Sequence, residues 1–344
     1  MTHPIYVLYQ SDDNYAQHMG VSIYSMLENN KDAEVLEVFV IDDHISEDNK
    51  EKISSLASRY GRKLTWITSD LIRSTTIASE WPKYSSFRKN TNCYLKYFIF
   101  DGILDSKVDR IMYIDADSIV SGSLQPLFEL DMQGKAIGMT RCCLVTDEYR
   151  KAIGFGQEDS YYNAGMNLFD SAAWRDRKYP EKLIRKATEG CMYSTVDQDL
   201  LNFVVRGDVI DLGCRYNFQC MHIAFKHPMY SKVYRPTHYY SDEEVEEATR
   251  SPVINHFLRF AGMNPWNSKS VHPCREMYEA YRSTSPWKDA EPKPTGNNGY
   301  KFRISRILYR ILPRSIYLRI FKRFHNKYLI SSDKKVKEAV LIEK

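Results

Sequence analysis

Arg110–Gly122 reads RIMYIDADSIVSG. Ile111, Met112, Tyr113 and Ile114 make a short apolar run of the kind that forms a buried strand. The run passes directly into Asp115-Ala116-Asp117. On an extended backbone residues two apart share a side, so this spacing aims two carboxylates at one point beyond a strand end. Paired hard oxygen donors suit a divalent cation that keeps positions open for phosphate oxygens. In open α/β sheets ligands gather at the carboxyl ends of strands. Taken alone, Asp-x-Asp after a strand reads more simply as a solvated loop. The flanking segments decide between the two.

Upstream, Ile5–Tyr9, Val35–Ile41 and Lys63–Ile67 read as strands separated by helical patterns. Met19, Ile23, Met26 and Leu27 fall on one helical face. Ser46 stands as N-cap to a helix with Ile53, Leu56, Ala57 and Tyr60 at i, i+3, i+4 and i+7. This β-α-β-α-β alternation predicts an α/β protein with a doubly wound sheet. Leu71–Arg88 is irregular, and Thr91–Leu104 reads as an aromatic-rich helix leading into the central strand. Downstream come a short helix at Leu124–Leu130, a strand at Ala136–Met139 and the stretch Tyr161–Asp170, YYNAGMNLFD. A helix around Pro180–Glu189 precedes Ser194–Val205, STVDQDLLNFVV. Val209–Leu212 and Tyr216–Phe218 read as extended pieces, Ser241–Thr249 as an acidic surface segment, and Val253–Phe257 as a late strand carrying His256.

The 344 residues are 43% hydrophobic and 27% charged, ordinary values for a globular chain. The N-terminus, MTHPIYVLYQSDDN, lacks a basic n-region and reads as a first strand rather than a signal peptide. No apolar run of 18 or more residues predicts a membrane span. Seven cysteines without a Cys-x-x-Cys pair argue for a reducing compartment and against a disulfide framework or a zinc site. Charge is unevenly placed. Residues 292–332 hold ten Lys/Arg and no acid, so the rest of the chain carries −6 against a whole-chain net charge of +4.

Six segments in order carry a resemblance. SDDNY from Ser11, YIDADSIV from Tyr113, YYNAGMNLFD from Tyr161, DQDLLN from Asp197, RYNF from Arg215 and NHF…NPW from Asn255 together resemble glycosyltransferase family 8. That family includes the bacterial lipopolysaccharide galactosyl- and glucosyltransferases and glycogenin. The resemblance runs from about Tyr6 to Trp266. It implies a GT-A fold, a Rossmann-like mixed sheet with helices on both faces, in one nucleotide-sugar domain over residues 1–290. A linker and a basic amphipathic tail would occupy 291–344. It also implies Mn²⁺, with Mg²⁺ as second choice, a UDP-sugar donor, and transfer with retention of anomeric configuration.

Residue by residue, the resemblance makes Asp115, Asp117 and His256 metal ligands. Imidazole with carboxylates suits Mn²⁺ better than Ca²⁺. Asp12 and Asn14 would contact uracil and ribose, Tyr15 would stack on the ring, and Ala116 would line the nucleotide site. An Asp or Asn at this point is also a routine helix N-cap. Asn163, Asp197, Gln198 and Asp199 would surround the donor sugar, joined by Lys96, which stands where the family usually has Arg. A Lys carries the charge without the bidentate geometry. Gln198 would face the anomeric carbon. A glutamine is a poor nucleophile, so same-face attack by the acceptor is favoured, with Asp197 as nucleophile the alternative. The family's His-x-x-Gly-x-x-Lys-Pro-Trp appears here as HFLRFAGMNPW, two residues longer and without the Lys. Arg259, Gly262 and Asn264 are left to contact the diphosphate.

The expected activity is transfer of galactose or glucose from a UDP-hexose to a cell-surface glycan or glycolipid. A protein O-glycosylating transferase of the same family, or a catalytically weakened nucleotide-sugar-binding protein, are the alternatives. In the tail, Ile304, Ile307, Leu308 and Ile311 share one helical face, Pro313 interrupts, and Tyr317, Ile320, Phe321 and Phe324 share another. Basic residues fill the opposite sides. This fits an amphipathic pair at an anionic membrane surface, placing the protein in the cytoplasm on the inner face of the cell membrane. Docking of the same faces on the protein's own body is the second reading. A nucleic-acid partner is not expected, although basic charge alone would allow one. As a pure anchor, residues 300–344 would be dispensable for nucleotide binding.

Overall fold

Within the segment Leu36–Asp43, Val38 and Val40 point to one core while Phe39 and Ile41 point to another, and all four are buried. The same split recurs in Arg110–Ile114, where Met112 and Ile114 join the first core and Ile111 and Tyr113 the second. Strands buried on both faces need helices on both sides of the sheet. The computed structural model describes residues 2–75, 77–83, 92–189, 195, 197–294 and 299–342, and at 82, 83 and 332–342 the backbone alone.

The strands are β1 (Ile5–Asp12), β2 (Leu36–Asp43), β3 (Lys63–Thr68), β4 (Arg110–Ile114), β5 (Ser118–Val120), β6 (Ile137–Arg141), β7 (Tyr162–Asp170), β8 (Val209–Asp211), β9 (Phe218–Gln219) and β10 (Ile254–His256). Seven form a mixed sheet ordered β3-β2-β1-β4-β7-β6-β8. β3, β2, β1 and β4 run parallel, while β7 lies antiparallel to both β4 and β6. The helices Asp13–Glu28 and Glu47–Arg59 cross between the first three strands. The first of them buries Met19, Ile23, Met26 and Leu27 in the first core. A second sheet, β5-β10-β9, stands at the end of β4. β10 pairs antiparallel with β5, setting His256 opposite Ser118.

The structure corrects several sequence readings. Asp115–Asp117 is a bend rather than a strand extension, because the chain leaves one sheet at Ile114 and enters the other at Ser118. The Ser118 hydroxyl closes the bend by donating to the Asp115 carbonyl at 2.7 Å. Thr91–Leu104 is no α-helix over its described part: a 3-10 helix spans Asn92–Tyr97 and turns follow. Tyr94 through Phe100 are all buried, so the segment has no solvent face that would give it a helical period. Tyr216 and Asn217 end a 3-10 turn, Cys214–Asn217, and only Phe218 is extended. Within Leu71–Arg88 a helix, Ser69–Ser74, and a 3-10 segment, Ala78–Lys83, precede residues 84–91, which lie outside the described residues.

Two helices, Tyr300–Ile311 and Arg314–Ile342, form the tail. Tyr317, Leu318 and Leu329 are buried against the body. The Tyr317 ring stacks on Phe225, with centroids 6.1 Å apart, and Lys322 Nζ donates to the Val233 carbonyl. The stretch read as a linker is tied down where it begins. Lys293 Nζ donates to the Asn14 carbonyl, and Asn267 Nδ2 donates to the Pro294 carbonyl at 3.0 Å. Residues 295–298 lie outside the described residues. Tyr300, Ile304, Ile307, Ile311 and Phe324 remain exposed. Among the described residues no helix is long and apolar enough to cross a membrane.

The segment after the helix Arg275–Arg282 packs Trp287 against Gly20 in the middle of Asp13–Glu28. A Cβ built on Gly20 would lie 2.0 Å from the Trp287 ring. In an open helix interior Gly→Ala stabilises by about 1 kcal/mol. Here Gly20→Ala is expected to reverse that sign and destabilise by roughly 1–3 kcal/mol through overpacking. Urea denaturation of the variant measures it, and a stabilised variant would show that the helix and Trp287 do not touch this closely.

Candidate active site

The bend after β4 brings the Asp115 and Asp117 carboxylates together, and β10 delivers His256 beside them. Candidate ligand atoms from the three residues all lie within 4.8 Å of one another. His256 Nε2 is 3.3 Å from Asp117 Oδ1 and 3.7 Å from Asp115 Oδ2. The Phe257 backbone N–H donates to the Asp117 carbonyl at 2.9 Å, locking the strand that carries the imidazole to the bend that carries the carboxylates. His256 Nδ1 is 3.1 Å from Asn217 Oδ1, an acceptor. The neutral ring therefore protonates Nδ1 and turns the Nε2 lone pair toward the carboxylates, an arrangement common behind metal-bound histidines. Gly165 makes room: a Cβ there would lie 2.3 Å from His256 Cε1 and 2.7 Å from Asp115 Oδ2. Two carboxylates and an imidazole nitrogen grouped together, with a quarter to a third of each carboxylate side chain accessible, fit a divalent cation with open positions.

Charge is balanced with care around this cluster. Burial raises Asp115 to about 6, partly countered by Lys96. Burial also works against Asp117 as an anion, but His256 outweighs it and holds this carboxyl below the usual range. For His256 burial opposes the charge, yet Asp117 and Asp115 prevail and raise it. The Tyr113 hydroxyl donates to Asp115 Oδ1 at 2.6 Å.

The second half of the site starts from Asn217. Its Nδ2 donates to Asn163 Oδ1 at 2.8 Å, and Asn163 Nδ2 donates to Gln198 Oε1 at 2.8 Å. Gln198 Oε1 also accepts from the Ala164 N–H at 3.2 Å, while Gln198 Nε2 donates to the Tyr161 hydroxyl at 3.2 Å. Gln198 sits in the first turn of the helix Asp197–Val204. Asp197 pairs with the buried Lys96 at 2.9 Å and accepts from the Tyr97 hydroxyl at 3.0 Å. Lys96 is completely enclosed, yet Asp197 and Asp115 outweigh the burial and raise it. Its ammonium lies 4.2 Å from the Tyr113 ring centroid, a cation–π contact.

Asp199 does not reach this cleft. It is fully buried and accepts from the Tyr149 hydroxyl at 2.8 Å, the Tyr161 hydroxyl at 2.5 Å and the Thr195 N–H at 2.9 Å. On a helix, positions two apart face different ways. Asp197 and Asp199 therefore divide the work between the site and the packing beneath it.

At the end of β1, Asp12 caps the helix Asp13–Glu28 by accepting from the Tyr15 N–H at 3.1 Å, and Asn14 Nδ2 donates to it at 3.1 Å. Asn14 is exposed, while Asp12, Tyr15 and Ala116 are half-buried. The Tyr15 ring meets Trp266 edge-on at 5.6 Å, and Asn264 Nδ2 donates to the Tyr15 hydroxyl at 3.4 Å. Arg259 also reaches this hydroxyl, and Asp117 acts on it electrostatically, so the segment after β10, the helix Asp13–Glu28 and the Asp115–Asp117 bend converge here. Gly262 is placed differently from the expectation. It is buried, and the side a Cβ would fill is covered by Phe302 of the tail. The sequence reading passed over Tyr113, Tyr161, Gly165 and Asn217. All four lie inside the quoted motifs, but Gly165 meets Asp115 and His256 only in the folded chain, so the sequence carried no signal of that contact.

The profile described as Glycosyl transferase family 8 matches residues 6–270. General stress protein A of Bacillus subtilis is 27% identical over 280 residues, covering 80% of this chain and 92% of that protein. A lipopolysaccharide 1,2-glucosyltransferase of Escherichia coli is 26% identical over 297 residues, covering 83% and 80%. The galactosyltransferase LgtC, solved with donor and acceptor sugar analogues, superposes with a TM-score of 0.63 at 21% identity, over 82% of this chain and 96% of that one. The likeness establishes the GT-A fold.

Cation binding must displace protons from this cluster. As candidate ligands Asp115 would bind a cation as an anion and His256 as a neutral ring, and both are raised. Affinity should therefore fall as pH drops. At pH 5, a unit below Asp115, that proton alone is expected to cost about tenfold, with His256 adding to it. Calorimetric titration of Mn²⁺ between pH 7.5 and 5 measures the slope. An affinity independent of pH would contradict this ligand set.

Proposed function

The chain belongs to glycosyl transferase family 8, and from that membership we propose that it moves a hexose, galactose or glucose, from a UDP-sugar to a lipopolysaccharide-type glycan or glycolipid with retention of configuration. The observation that carries the reading is the continuous hydrogen-bonded path from His256 through Asn217 and Asn163 to Gln198. It ties the place where a diphosphate would be neutralised to the place where a sugar would react. The E. coli relative's description as a lipopolysaccharide glucosyltransferase supports the acceptor class.

Asp115, Asp117 and His256 would hold a divalent cation, Mn²⁺ by the donor set, which when bound supplies Lewis-acid neutralisation of the leaving diphosphate. Asp12, Asn14 and Tyr15 bind the uridine, and Arg259 and Asn264 meet the diphosphate. Gln198, oriented by Asn163 and the Ala164 N–H, faces the anomeric carbon. Asp197 is engaged by Lys96 and Tyr97, which lowers its power as a nucleophile. That supports same-face attack. The acceptor hydroxyl bonds to the anomeric carbon as the bond to the β-phosphate oxygen breaks, and the hydroxyl proton passes to that departing oxygen.

The test is UDP release from a panel of UDP-hexoses, with and without Mn²⁺, in wild type and Asp117→Ala. Turnover of one sugar that needs Mn²⁺ and falls about a hundredfold or more in the variant is the expected result. UDP binding without turnover of any sugar would overturn the enzyme reading in favour of a nucleotide-sugar-binding protein.

The tail supports a peripheral site of action at an anionic membrane surface on the cytoplasmic face. Tyr300, Ile304, Ile307 and Ile311 form an exposed apolar stripe beside exposed Lys301, Arg303 and Arg310. Replacing Ile304, Ile307 and Ile311 together by Ser should weaken binding to anionic vesicles by on the order of tenfold or more. Vesicle sedimentation measures it, and unchanged binding would remove this stripe from the interface.

A further inference from the structure

The segment Phe260–Met263 closes on itself. Phe260 and Met263 exchange two backbone hydrogen bonds of 2.9 Å, and Ala261 and Gly262 between them have φ of 50° and 76°. Two left-handed central residues define a type I′ turn. Leu258, one residue before Arg259, is also left-handed at 47°. Alanine and leucine disfavour this conformation, so neighbours must hold the turn in place. From beneath, His272 Nε2 lies 2.9 Å from both the Phe257 and Leu258 carbonyls. From the other side the holder is the tail helix Tyr300–Ile311. Phe302 covers Gly262 so closely that a Cβ there would lie 2.5 Å from its ring. Arg306 NH1 donates to the Ala261 carbonyl at 3.3 Å, and Tyr309 meets the Phe260 ring edge-on at 4.8 Å. Residues 302, 306 and 309 fall at i, i+4 and i+7, one face of the helix. The exposed isoleucines lie elsewhere around it.

We infer that this helix is part of the donor site: its Phe302–Arg306–Tyr309 face sets the turn that carries Arg259 and Asn264 to the donor's diphosphate. The inference rests on the UDP-sugar reading above. Phe302, Arg306 and Tyr309 are positioning residues that act through Arg259 and Asn264. A UDP ligand feels the turn through its β-phosphate, whereas UMP lacks that group and is held by uridine contacts on the first helix.

In the full-length protein, Phe302→Ala is expected to weaken UDP about tenfold while UMP affinity changes less than twofold. KM for the UDP-sugar should rise with kcat little altered, and Phe302→Leu should restore most of the loss. UDP and UMP weakening in parallel, or both unchanged in a folded variant, would overturn the assignment. If Phe302→Ala does not fold, Arg306→Gln, which removes the hydrogen bond to Ala261, gives the same UDP-to-UMP comparison. Wild-type protein that binds neither nucleotide would refute the donor reading itself, a result separate from any loss in the variants.

Discussion

Repulsion between two half-buried carboxylates is the constraint around which this molecule is arranged. Unit charges about 4 Å apart repel by roughly 4 kcal/mol at the effective dielectric of a protein surface. Asp115 and Asp117 offer ligand atoms within 4.8 Å of each other, close to that situation, and the surroundings answer with donors and cations. Tyr113 donates to one, His256 stands between both, and Lys96 lies close enough to act on Asp115. The topology follows from this need. β4 must end and the chain must bend so that the carboxylates converge. β10 must pair with β5 so that an imidazole arrives beside them, and β7 must carry a glycine where any side chain would enter the cluster.

Beyond the cluster the coupling is carried by amides. Asn217, Asn163 and Gln198 each donate and accept, so orientation passes along the row without adding charge. That suits the proposed reaction, in which a diphosphate and then a developing positive sugar would occupy the site. A carboxylate inserted in the row would compete for the cation. A second ionic device runs parallel to it: Lys96 joins the Asp197 carboxylate to the Tyr113 ring that supports Asp115. Lys96 makes a single close ion pair in an enclosed space, where the planar fork of an arginine would need partners on two sides.

The strands β1 to β4, β6 and β10 were legible in the sequence because their apolar runs are short and bounded by polar turns, and the helix Asp13–Glu28 because one face alone is apolar, whereas β5 and β7 were not read as strands. The grouping of Asp115, Asp117 and His256 was legible through family likeness; spacing alone placed Asp115 and Asp117 but had no access to His256, which the pairing of β5 with β10 brings to them. The segment from Asn92 to Phe100 was misread because a stretch buried on every side has no period. Its Tyr97 carbonyl receives the Trp174 indole at 3.2 Å, so it serves tertiary packing in place of a helical ladder. Asp199 was misplaced for a simpler reason, since helix geometry forbids residues two apart from sharing a target. Gly262 looked like a phosphate glycine in sequence, and only the folded chain shows Phe302 in the space it leaves.

The two proposals give the tail separate physical jobs on different sides of the same helices. Its inner side packs on the body: Tyr317 and Leu318 of the second helix are buried, and Tyr309, Phe260, Tyr317 and Phe225 form one aromatic group. An anchor alone would need no such packing, because a surface helix is stabilised by the lipid it lies on. Conversely, a helix that only braced the phosphate turn would have no reason to leave Ile304, Ile307 and Ile311 in water. Since one helix carries both faces, a force that shifted it at an anionic surface would reach the turn at Ala261, two positions after Arg259, whose left-handed φ alanine disfavours. A turn held in left-handed geometry by outside contacts is the part of a donor site most sensitive to such a shift, because its backbone has little preference of its own for the working conformation.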